Sequence, residues 1–343
     1  MTFNVERAGR WFLESGIQEA DGGVARYHRS DLQKNAPVST EITGYALSAL
    51  VYLYERTGAS EYREAALRAA RYLTQSAWND SSFTFPFEPN SDRSYFFDIG
   101  IIVRGLLAAY RMSGEKEFLE RAHQAGLSLA FDFLGENEFV PVISLPEKQP
   151  LPYEPRWSRK PGCYQLKSAL AWFGLGDPHA KKLFESALAS ALQTHETFLL
   201  SEADEEKRMD RLHAYCYFLE ALLAVSEREE IREALAWGID HAAGLLREIA
   251  PRFERSDVNA QLLRVRLVAH HNGAVALHEA AAAEEASRAA SFEDARGCFW
   301  FGKKGSEMLP FLNPVSTAFA MQALALWQDH QKGEWNFTLP QLI

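Results

Sequence analysis

Residues 42–73 read ITGYALSALVYLYERTGASEYREAALRAARYL, and the same pattern recurs at residues 99–129, about 56 residues further along the chain. Each copy reads as a helix, a glycine-containing turn and a second helix, with apolar residues spaced to cover one helical face. Gly44 aligns with Gly100, and Gly58 aligns with Gly114. Because one helix pair cannot bury its own apolar face, a repeat of such pairs predicts an α-solenoid or a closed ring.

The rest of the chain continues this alternation of helices and connections. We predict helices at 4–16, 41–56, 60–77, 97–112, 116–133, 162–174, 178–195, 210–225, 229–248, 257–270, 273–289 and 314–329. Longer loops rich in aromatic residues or proline precede every second helix, and short turns precede the others. The long loops should therefore all lie at the same end of the helical bundle. The sequence predicts one all-α domain over residues 1–343, an (α/α)6 toroid of six helical hairpins in an inner and an outer ring.

The composition is that of a soluble acidic protein with a large core. Hydrophobic residues make up 47% of the chain, the net charge is −10, and no basic block interrupts it. Nucleic acids and anionic membranes require a positive patch, so we expect neither as a partner. The chain has no apolar run of about 18 residues and no apolar signal-peptide core near its start. With Cys163, Cys216 and Cys298 predicted to be free thiols, a cytoplasmic location follows.

The predicted long loops carry many large aromatic side chains. They are the segments 17–40, 78–96, 134–161, 196–209, 249–256 and 290–313. Catalytic residues favour loops that a rigid scaffold holds in place. We therefore expect these loops to surround an aromatic-lined funnel at one end of the ring. Simple packing of the aromatic side chains beneath the loops is the alternative.

Three side chains at the starts of predicted inner helices are candidates for catalysis, namely Glu41, Asp98 and His213. Ser39 or Thr40 is the better cap for its helix, which leaves Glu41 free to face the funnel. Asp98 lies among aromatic residues, where desolvation favours a protonated carboxyl suited to general acid catalysis. Two carboxyl groups across a cleft are what glycoside hydrolysis uses, and a histidine can exchange protons near neutral pH.

Other residues near the same helix starts are candidates for substrate binding by ring stacking and hydrogen bonding. They are Tyr45, Trp157, Tyr164, Tyr215, Asp257, Gln261, Trp300 and Asn313. Helix capping is the alternative role for Asp257 and Asn313. His213 and Cys216 share one helical face, but no second ligand pair, CxxC or HExxH accompanies them. We predict no metal and no other cofactor, since nucleotide-binding glycine motifs are also missing.

Three motifs resemble a known superfamily: DGGVA at 21–25, TEITGY at 40–45 and FDIG at 97–100. They are similar to motifs of the α/α-toroid superfamily of six-hairpin glycosidases, sugar epimerases and terpenoid cyclase-like proteins. The most similar group is the bacterial prenyltransferase/squalene-oxidase-repeat-like proteins. The resemblance covers roughly residues 8–130, and later only HAY at 213–215 and Asn313-Pro314 match. It implies the toroid and a funnel site, whereas the reaction varies across such folds.

The aspartate-rich segments of terpene cyclases and the zinc ligands of other toroids are missing, which leaves sugar chemistry. The leading hypothesis is a glycoside hydrolase-like enzyme acting on an oligosaccharide or a uronic-acid-containing glycan, with Asp98 as acid and Glu41 as base. One alternative is a sugar epimerase or isomerase in which His213 is the base. Another is a toroid that binds glycan or protein without catalysis.

Overall fold

A computed structural model of the protein describes residues 3–136, 138–200 and 204–343. In these ranges the α-helices are α1 Val5–Glu14, α2 Thr40–Thr57, α3 Ser60–Arg71, α4 Phe96–Ser113, α5 Lys116–Phe131, α6 Leu166–Leu175, α7 Pro178–Leu200, α8 Glu205–Leu222, α9 Glu229–Ile249, α10 Ser256–His271, α11 Glu279–Ala290 and α12 Pro314–Lys332. A π-helical turn at Tyr72–Ala77 extends α3, and a 3-10 turn at Cys163–Gln165 precedes α6.

The even-numbered helices form a closed inner ring. Each packs against the next, from α2 through α12, and α12 then packs against α2. The odd-numbered helices lie outside, with α1 packed on α12 and α2. Arg56 of α2 and Asp329 of α12 make two hydrogen bonds of 2.7 Å across this closing contact, hereafter the seam. The predicted all-α toroid is therefore confirmed, and the chain does not form an open solenoid.

The glycines shared by the two repeats mark places where inner helices approach closely. A Cβ atom on Gly100 would lie 2.4 Å from the Cα and Cβ atoms of Ser168 on α6. A Cβ atom on Gly44 would lie 3.0 Å from the Cα atom of Ile102 on α4. Real Cβ atoms do not tolerate the shorter separation, so only glycine allows α4 and α6 to pack at this spacing. The close packing of the inner helices therefore explains why the two repeats share these glycines.

Short turns join α2 to α3, α4 to α5 and α6 to α7, as predicted. Gly58 and Gly114 end α2 and α4 in the left-handed region, with φ values of 73° and 75°. Glycine adopts this conformation without the steric cost that a Cβ atom brings. The predicted helix 273–289 begins later, at Glu279, because the side chain of His278 accepts a hydrogen bond from the Ala281 amide and caps the helix there.

The long loops contain short strands that the sequence patterns do not predict. They are β1 His28–Arg29, β2 Lys34–Asn35, β3 Arg93–Tyr95, β4 Val142–Ser144, β5 Phe253–Arg255, β6 Gly302–Lys304, β7 Glu307–Met308 and β8 Phe311–Leu312. The antiparallel sheets have the orders β2-β1-β8, β3-β4 and β5-β6-β7. Each sheet joins two loops that are distant in sequence, and the β1–β8 pair joins the loops that precede α2 and α12. The loops thereby form a connected layer over one end of the ring.

One predicted long loop is wrong. The segment 196–209 is largely helical, since α7 continues to Leu200 and α8 begins at Glu205. The Asp204 side chain caps α8 by accepting a hydrogen bond from the Lys207 amide at 3.0 Å. Residues 201–203 of this prediction lie outside the described residues. The connection between α7 and α8 therefore contributes little to the loop layer.

A fully buried charged network lies inside the inner ring. Lys167 donates hydrogen bonds to Glu220 at 2.9 Å and to the Ile343 carbonyl oxygen at 3.0 Å. Arg264 is paired with Glu220 and donates to Gln322 at 3.0 Å. Buried charges are tolerated when they are paired in this way. The network joins α6, α8, α10 and α12 along the ring axis.

The three cysteines are free and buried, which confirms the expectation of free thiols. Among the described helices, none combines the length and the apolar character that crossing a membrane requires.

Candidate active site

A cavity of about 350 Å³ opens where the inner helices begin, beneath the layer of loops. First turns of α2, α4, α10 and α12 contribute to its wall, together with α8 and loop residues. The lining residues are Glu41, Ile42, Phe87, Tyr95, Phe97, Asp98, Arg156, Trp157, Ser158, Asp210, His213, Tyr217, Arg255, Asp257, Phe301, Asn313 and Val315. The wall combines carboxylates, arginines, one histidine and aromatic rings. This composition matches the funnel expected from the repeat.

Glu41 and Asp98 lie on neighbouring inner helices and both face this cavity. Ser39 caps α2 by accepting from the Ile42 amide, which leaves the Glu41 carboxyl free of capping. Burial raises the pKa of Glu41 to about 7, against the opposing charges of Arg26 and Arg156. Glu41 therefore changes protonation state close to neutral pH.

Asp98 is 6% exposed and, among the described residues, its Oδ2 atom has no hydrogen-bond partner. Burial, and then the neighbouring charge of Glu41, raise the pKa of Asp98 well above its usual value. Desolvation and a like-charged neighbour both favour the protonated form of a carboxyl group, and that form has a proton to donate. Asp98 thus has the properties of a general acid, while Glu41 is the more readily ionised member of the pair.

His213 lies on α8 and is held by two residues of α10. Its Nδ1 atom lies 2.7 Å from Gln261 Oε1 and 3.7 Å from Asp257 Oδ2. Burial, followed by the charge of Arg255, lowers the pKa of His213 to about 4. The imidazole is therefore neutral at neutral pH. Because Nδ1 faces two acceptors, it carries the proton, which leaves Nε2 as the basic nitrogen.

Arg255 fixes the carboxylates on the same side of the cavity. It donates hydrogen bonds of 3.0 and 2.6 Å to Asp257 and one of 2.7 Å to Asp210, and its guanidinium lies 4.5 Å from the Phe301 ring. Burial alone would raise the pKa of Asp257, but the contact with Arg255 lowers it below its usual value. Asp257 is therefore ionised and fully engaged. It orients Arg255 and contributes negative potential beside His213.

Arg156 differs from Arg255 in its contacts. Its side chain lines the cavity and makes no hydrogen bond or ion pair with any described residue. The charge of Arg156 lowers the pKa values of both Glu41 and Asp98, which places its positive field at the carboxyl pair. An uncommitted guanidinium of this kind can bind a carboxylate or a similar planar anion.

Aromatic rings enclose the histidine. The Tyr217 ring lies 4.6 Å from the His213 ring, and the Trp157 ring lies 6.4 Å from it. Phe97 packs on Tyr217 with 4.7 Å between ring centroids. Flat apolar surfaces beside polar groups suit the binding of sugar rings, whose C–H faces are apolar and whose edges carry hydroxyl groups.

The structure brings six of the sequence-predicted residues together in the cavity wall, namely Glu41, Asp98, His213, Trp157, Asp257 and Asn313. Asn313 also caps α12 by accepting from the Val315 and Ser316 amides. Among the described residues, no group of three His, Cys, Asp or Glu side chains has the arrangement of a metal site.

The other five predicted residues do not line the cavity, which corrects their expected direct contact with substrate there. Tyr45 and Gln261 follow Glu41 and Asp257 by one helical turn and are buried beneath them. Tyr164 is buried behind Trp157, with 4.9 Å between the rings, and donates to the Lys160 carbonyl. The remaining two are Tyr215 and Trp300.

Tyr215 follows His213 by two positions on α8, a rotation of about 200° that turns it to the outer ring. There its hydroxyl lies 2.9 Å from Nδ1 of His195 on α7. Trp300 is half-buried away from the cavity, and its carbonyl oxygen accepts a hydrogen bond of 2.6 Å from Ser256. Tyr215 therefore faces away from His213 and from the cavity.

Tyr217, Arg156 and Arg255 are among the cavity residues that were not anticipated. Tyr217 follows His213 by four positions, and this spacing predicts a shared helical face. Arg255 immediately precedes α10, where its neighbour Asp257 was recognised. Arg156 lies in an irregular loop, and its position carries no periodic signal in the sequence.

Several solved structures with a similar fold are carbohydrate-active enzymes. The cellobiose 2-epimerase of Spirochaeta thermophila has 13% identity and a TM-score of 0.72, over 95% of this chain and 97% of that chain. A D-mannose isomerase has 11% identity and a TM-score of 0.70, over 95% and 96%. An unsaturated glucuronyl hydrolase specific for heparin has 13% identity and a TM-score of 0.69, over 96% of each chain.

The chain matches no protein-family model, and no curated protein sequence matches it significantly. Because the sequence identities to these solved structures are low, the similarity establishes the fold alone. The toroid fold that the motifs implied is therefore confirmed.

Proposed function

We propose that the protein is a carbohydrate-active enzyme that cleaves a glycosidic bond, with Asp98 as the general acid and Glu41 as the base. The observation that carries the proposal is the desolvated Asp98 carboxyl, which has an unpartnered Oδ2 atom beside a second carboxyl whose pKa is about 7. Asp98 would donate its proton to the leaving oxygen. Ionised Glu41 would activate a water molecule or stabilise positive charge on the sugar.

The cavity supports a small acidic substrate. Its volume of about 350 Å³ is near the lower end of the range for small-molecule sites, which favours the end of a saccharide over the middle of a polymer. Arg156 provides a cation beside the carboxyl pair that has no ion-pair partner among the described residues, and this arrangement favours a uronic acid. The fold shared with a heparin-specific glucuronyl hydrolase is consistent with such a substrate.

Epimerisation or isomerisation of a sugar is the second candidate. It is favoured by the neutral His213, whose Nδ1 proton is directed to Gln261 and whose Nε2 atom is left basic. In this reaction His213 would abstract a proton next to a carbonyl carbon, and Asp98 would protonate the oxygen. The folds of a cellobiose epimerase and a mannose isomerase support this alternative. Under either reaction, the buried free thiols support a cytoplasmic location.

Incubation with defined disaccharides, including uronic-acid-containing ones, in D₂O would distinguish the reactions. Hydrolysis releases new reducing ends without deuterium on carbon, whereas epimerisation places deuterium on carbon and leaves the linkage intact. We expect reducing ends, and loss of at least about 100-fold in kcat for Asp98→Asn and Glu41→Gln. The matched control is Asp80→Asn, which changes an exposed aspartate that does not line the cavity. Full activity of both cavity variants would overturn the proposal, as would turnover accompanied only by carbon deuteration.

The pH profile offers a second measurement on the same reaction. Glu41 must be ionised, so kcat/KM should fall as the pH drops below about 7. Asp98 must be protonated, so activity should fall again at high pH, where its raised pKa is exceeded. An acidic limb near pH 4 would instead indicate that His213, whose pKa is about 4, is the essential base.

A further inference from the structure

A second and larger depression lies beside the cavity. It has a volume of about 820 Å³ and is bounded on one side by α7 and on the other by loop residues 134–136, 138–139 and 155–162. We call it the α7 groove. Its lining includes a polar row on α7, which consists of Ser186, Ser190, Gln193, Thr194 and Thr197. Its size exceeds that of the candidate active site, and the function proposed above does not use it.

The α7 groove and the cavity share one wall residue, Trp157. The indole packs edge-on against Tyr164 at 4.9 Å and approaches His213 at 6.4 Å between ring centroids. A ligand bound beside His213 therefore reaches the groove by passing Trp157. Neighbouring residues of the same loop continue this connection, since Arg156 lines the cavity and Pro155 lines the groove.

The chemistry of the polar row is suited to hydroxyl groups. The row residues are exposed and are spaced along α7 so that they share one helical face. Thr194 donates to the Ser190 carbonyl at 2.9 Å, while the other four side chains make no hydrogen bond to a described residue. Exposed faces of outer helices are otherwise charged, as Lys181, Lys182 and Glu185 are at the start of α7. An uncharged face that can donate and accept hydrogen bonds is typical of a site for a neutral polyhydroxyl ligand.

The remaining lining agrees with that ligand class. Phe139 and Phe198 provide aromatic surface, and Ala187 and Ala191 keep the floor flat. The charged residues of the lining are two acids, Glu136 and Glu138, and two bases, Lys160 and Arg211, so the groove carries no net charge. A polyanion would require a cationic surface, and a peptide would need unpaired backbone groups or deep apolar pockets to recognise it.

We propose that the α7 groove binds further neutral sugar units of an oligosaccharide whose terminal unit occupies the cavity. Trp157 lies between the two sites and contacts the saccharide on both sides. The inference rests on the proposed carbohydrate function and extends it from a terminal sugar to an oligosaccharide at least three units long. Hydroxyl groups of the added units hydrogen-bond the polar row, and their apolar faces lie against the aromatic rings.

Binding of matched saccharide ladders tests this proposal. The probes are cello-, manno- and malto-oligosaccharides with and without a terminal uronic acid, each as the disaccharide and the tetrasaccharide, titrated calorimetrically into the protein. For at least one ladder the tetrasaccharide should bind about tenfold more tightly, the effect expected of one or two added hydrogen bonds with stacking. Ser190→Trp, which fills the groove, should abolish this advantage and leave disaccharide binding unchanged.

Ala189→Trp is the matched control, because Ala189 is an exposed α7 residue outside the groove lining. It should retain the chain-length effect. Equal binding of di- and tetrasaccharides with measurable disaccharide turnover would overturn the groove proposal alone. A chain-length effect that survives in Ser190→Trp would also overturn it. Light scattering that shows a change in the oligomeric state of Ser190→Trp would overturn it as well. If no ladder binds or is turned over, the proposed function fails together with the groove.

Discussion

Replacing Glu41 with glutamine tests the electrostatics of the cavity through protein stability, so it needs no substrate. Burial raises the pKa of Glu41 from 4.5 to about 7. Below pH 4.5 the folded and unfolded states both hold the proton. As the pH rises toward 7, the unfolded chain releases it first, and folding progressively loses this contribution. Above pH 7 the folded protein carries the full cost of a desolvated carboxylate, a cost that glutamine does not have.

The two pKa values differ by about 2.5, and at 1.36 kcal/mol per pH unit the cost is at most about 3 kcal/mol. Glu41 lines a cavity that water can enter, which reduces the expected value to about 2 kcal/mol. The free energy of unfolding of Glu41→Gln, relative to wild type, should therefore rise by about 2 kcal/mol between about pH 4.5 and pH 8. Loss of the Glu41 charge also lowers the pKa of Asp98, which adds in the same direction.

Urea unfolding followed by circular dichroism at the two pH values measures this difference. Glu64→Gln removes a carboxylate from the exposed face of α3 and should show the same relative stability at both pH values. The reasoning is refuted if Glu41→Gln changes by less than about 0.5 kcal/mol between the two pH values. In that case the Glu41 carboxyl would be as well hydrated in the folded protein as in the unfolded chain.

Three further predictions concern the ring and the histidine. Gly100→Ala should lower the free energy of unfolding by about 1–3 kcal/mol, because the new methyl group meets the backbone of α6. Urea unfolding measures this loss, and a loss near zero would show that α4 and α6 can move apart freely. Arg56→Ala and Asp329→Ala should show a coupling energy of about 1 kcal/mol in a double-mutant cycle of unfolding, and strict additivity would contradict a specific seam contact. Gln261→Leu should shift His213 away from the tautomer protonated at Nδ1, as read from ¹⁵N chemical shifts of the imidazole; unchanged shifts would show that Asp257 alone sets the tautomer.

The toroid could be predicted because the sequence pattern that specifies it repeats along the chain. The offset of about 56 residues aligned Gly44 with Gly100, and both glycines prove to be points of close helix packing. Several helix boundaries follow from capping residues such as Ser39 and Asn313 and from turn glycines such as Gly58. The short strands were not predictable, since two or three residues are too few to show the alternation of a strand. The α7–α8 connection was misjudged because helical continuity there depends on packing as well as on propensity.

Ring geometry also explains which site residues were found. Residues at the starts of inner helices converge once the ring closes, which brought Glu41, Asp98 and His213 to one cavity. The depth of a side chain along its helix and its rotation about the helix axis were harder to predict from the sequence. Tyr45 lies one turn too deep, and Tyr215 is rotated to the outer ring. The contribution of Arg156 depends on the path of an irregular loop, which no local pattern specifies.

The seam between α2 and α12 has a consequence for the order of folding. Each hairpin joins residues that are near neighbours in sequence, whereas Arg56 and Asp329 are separated by 273 positions. Contacts between distant segments require a large loss of chain entropy and form late, so the hairpins should assemble first and the circle should close last. In native-state hydrogen exchange, backbone amides of α12 and α1 should therefore open at a lower free energy than those of α4 and α5.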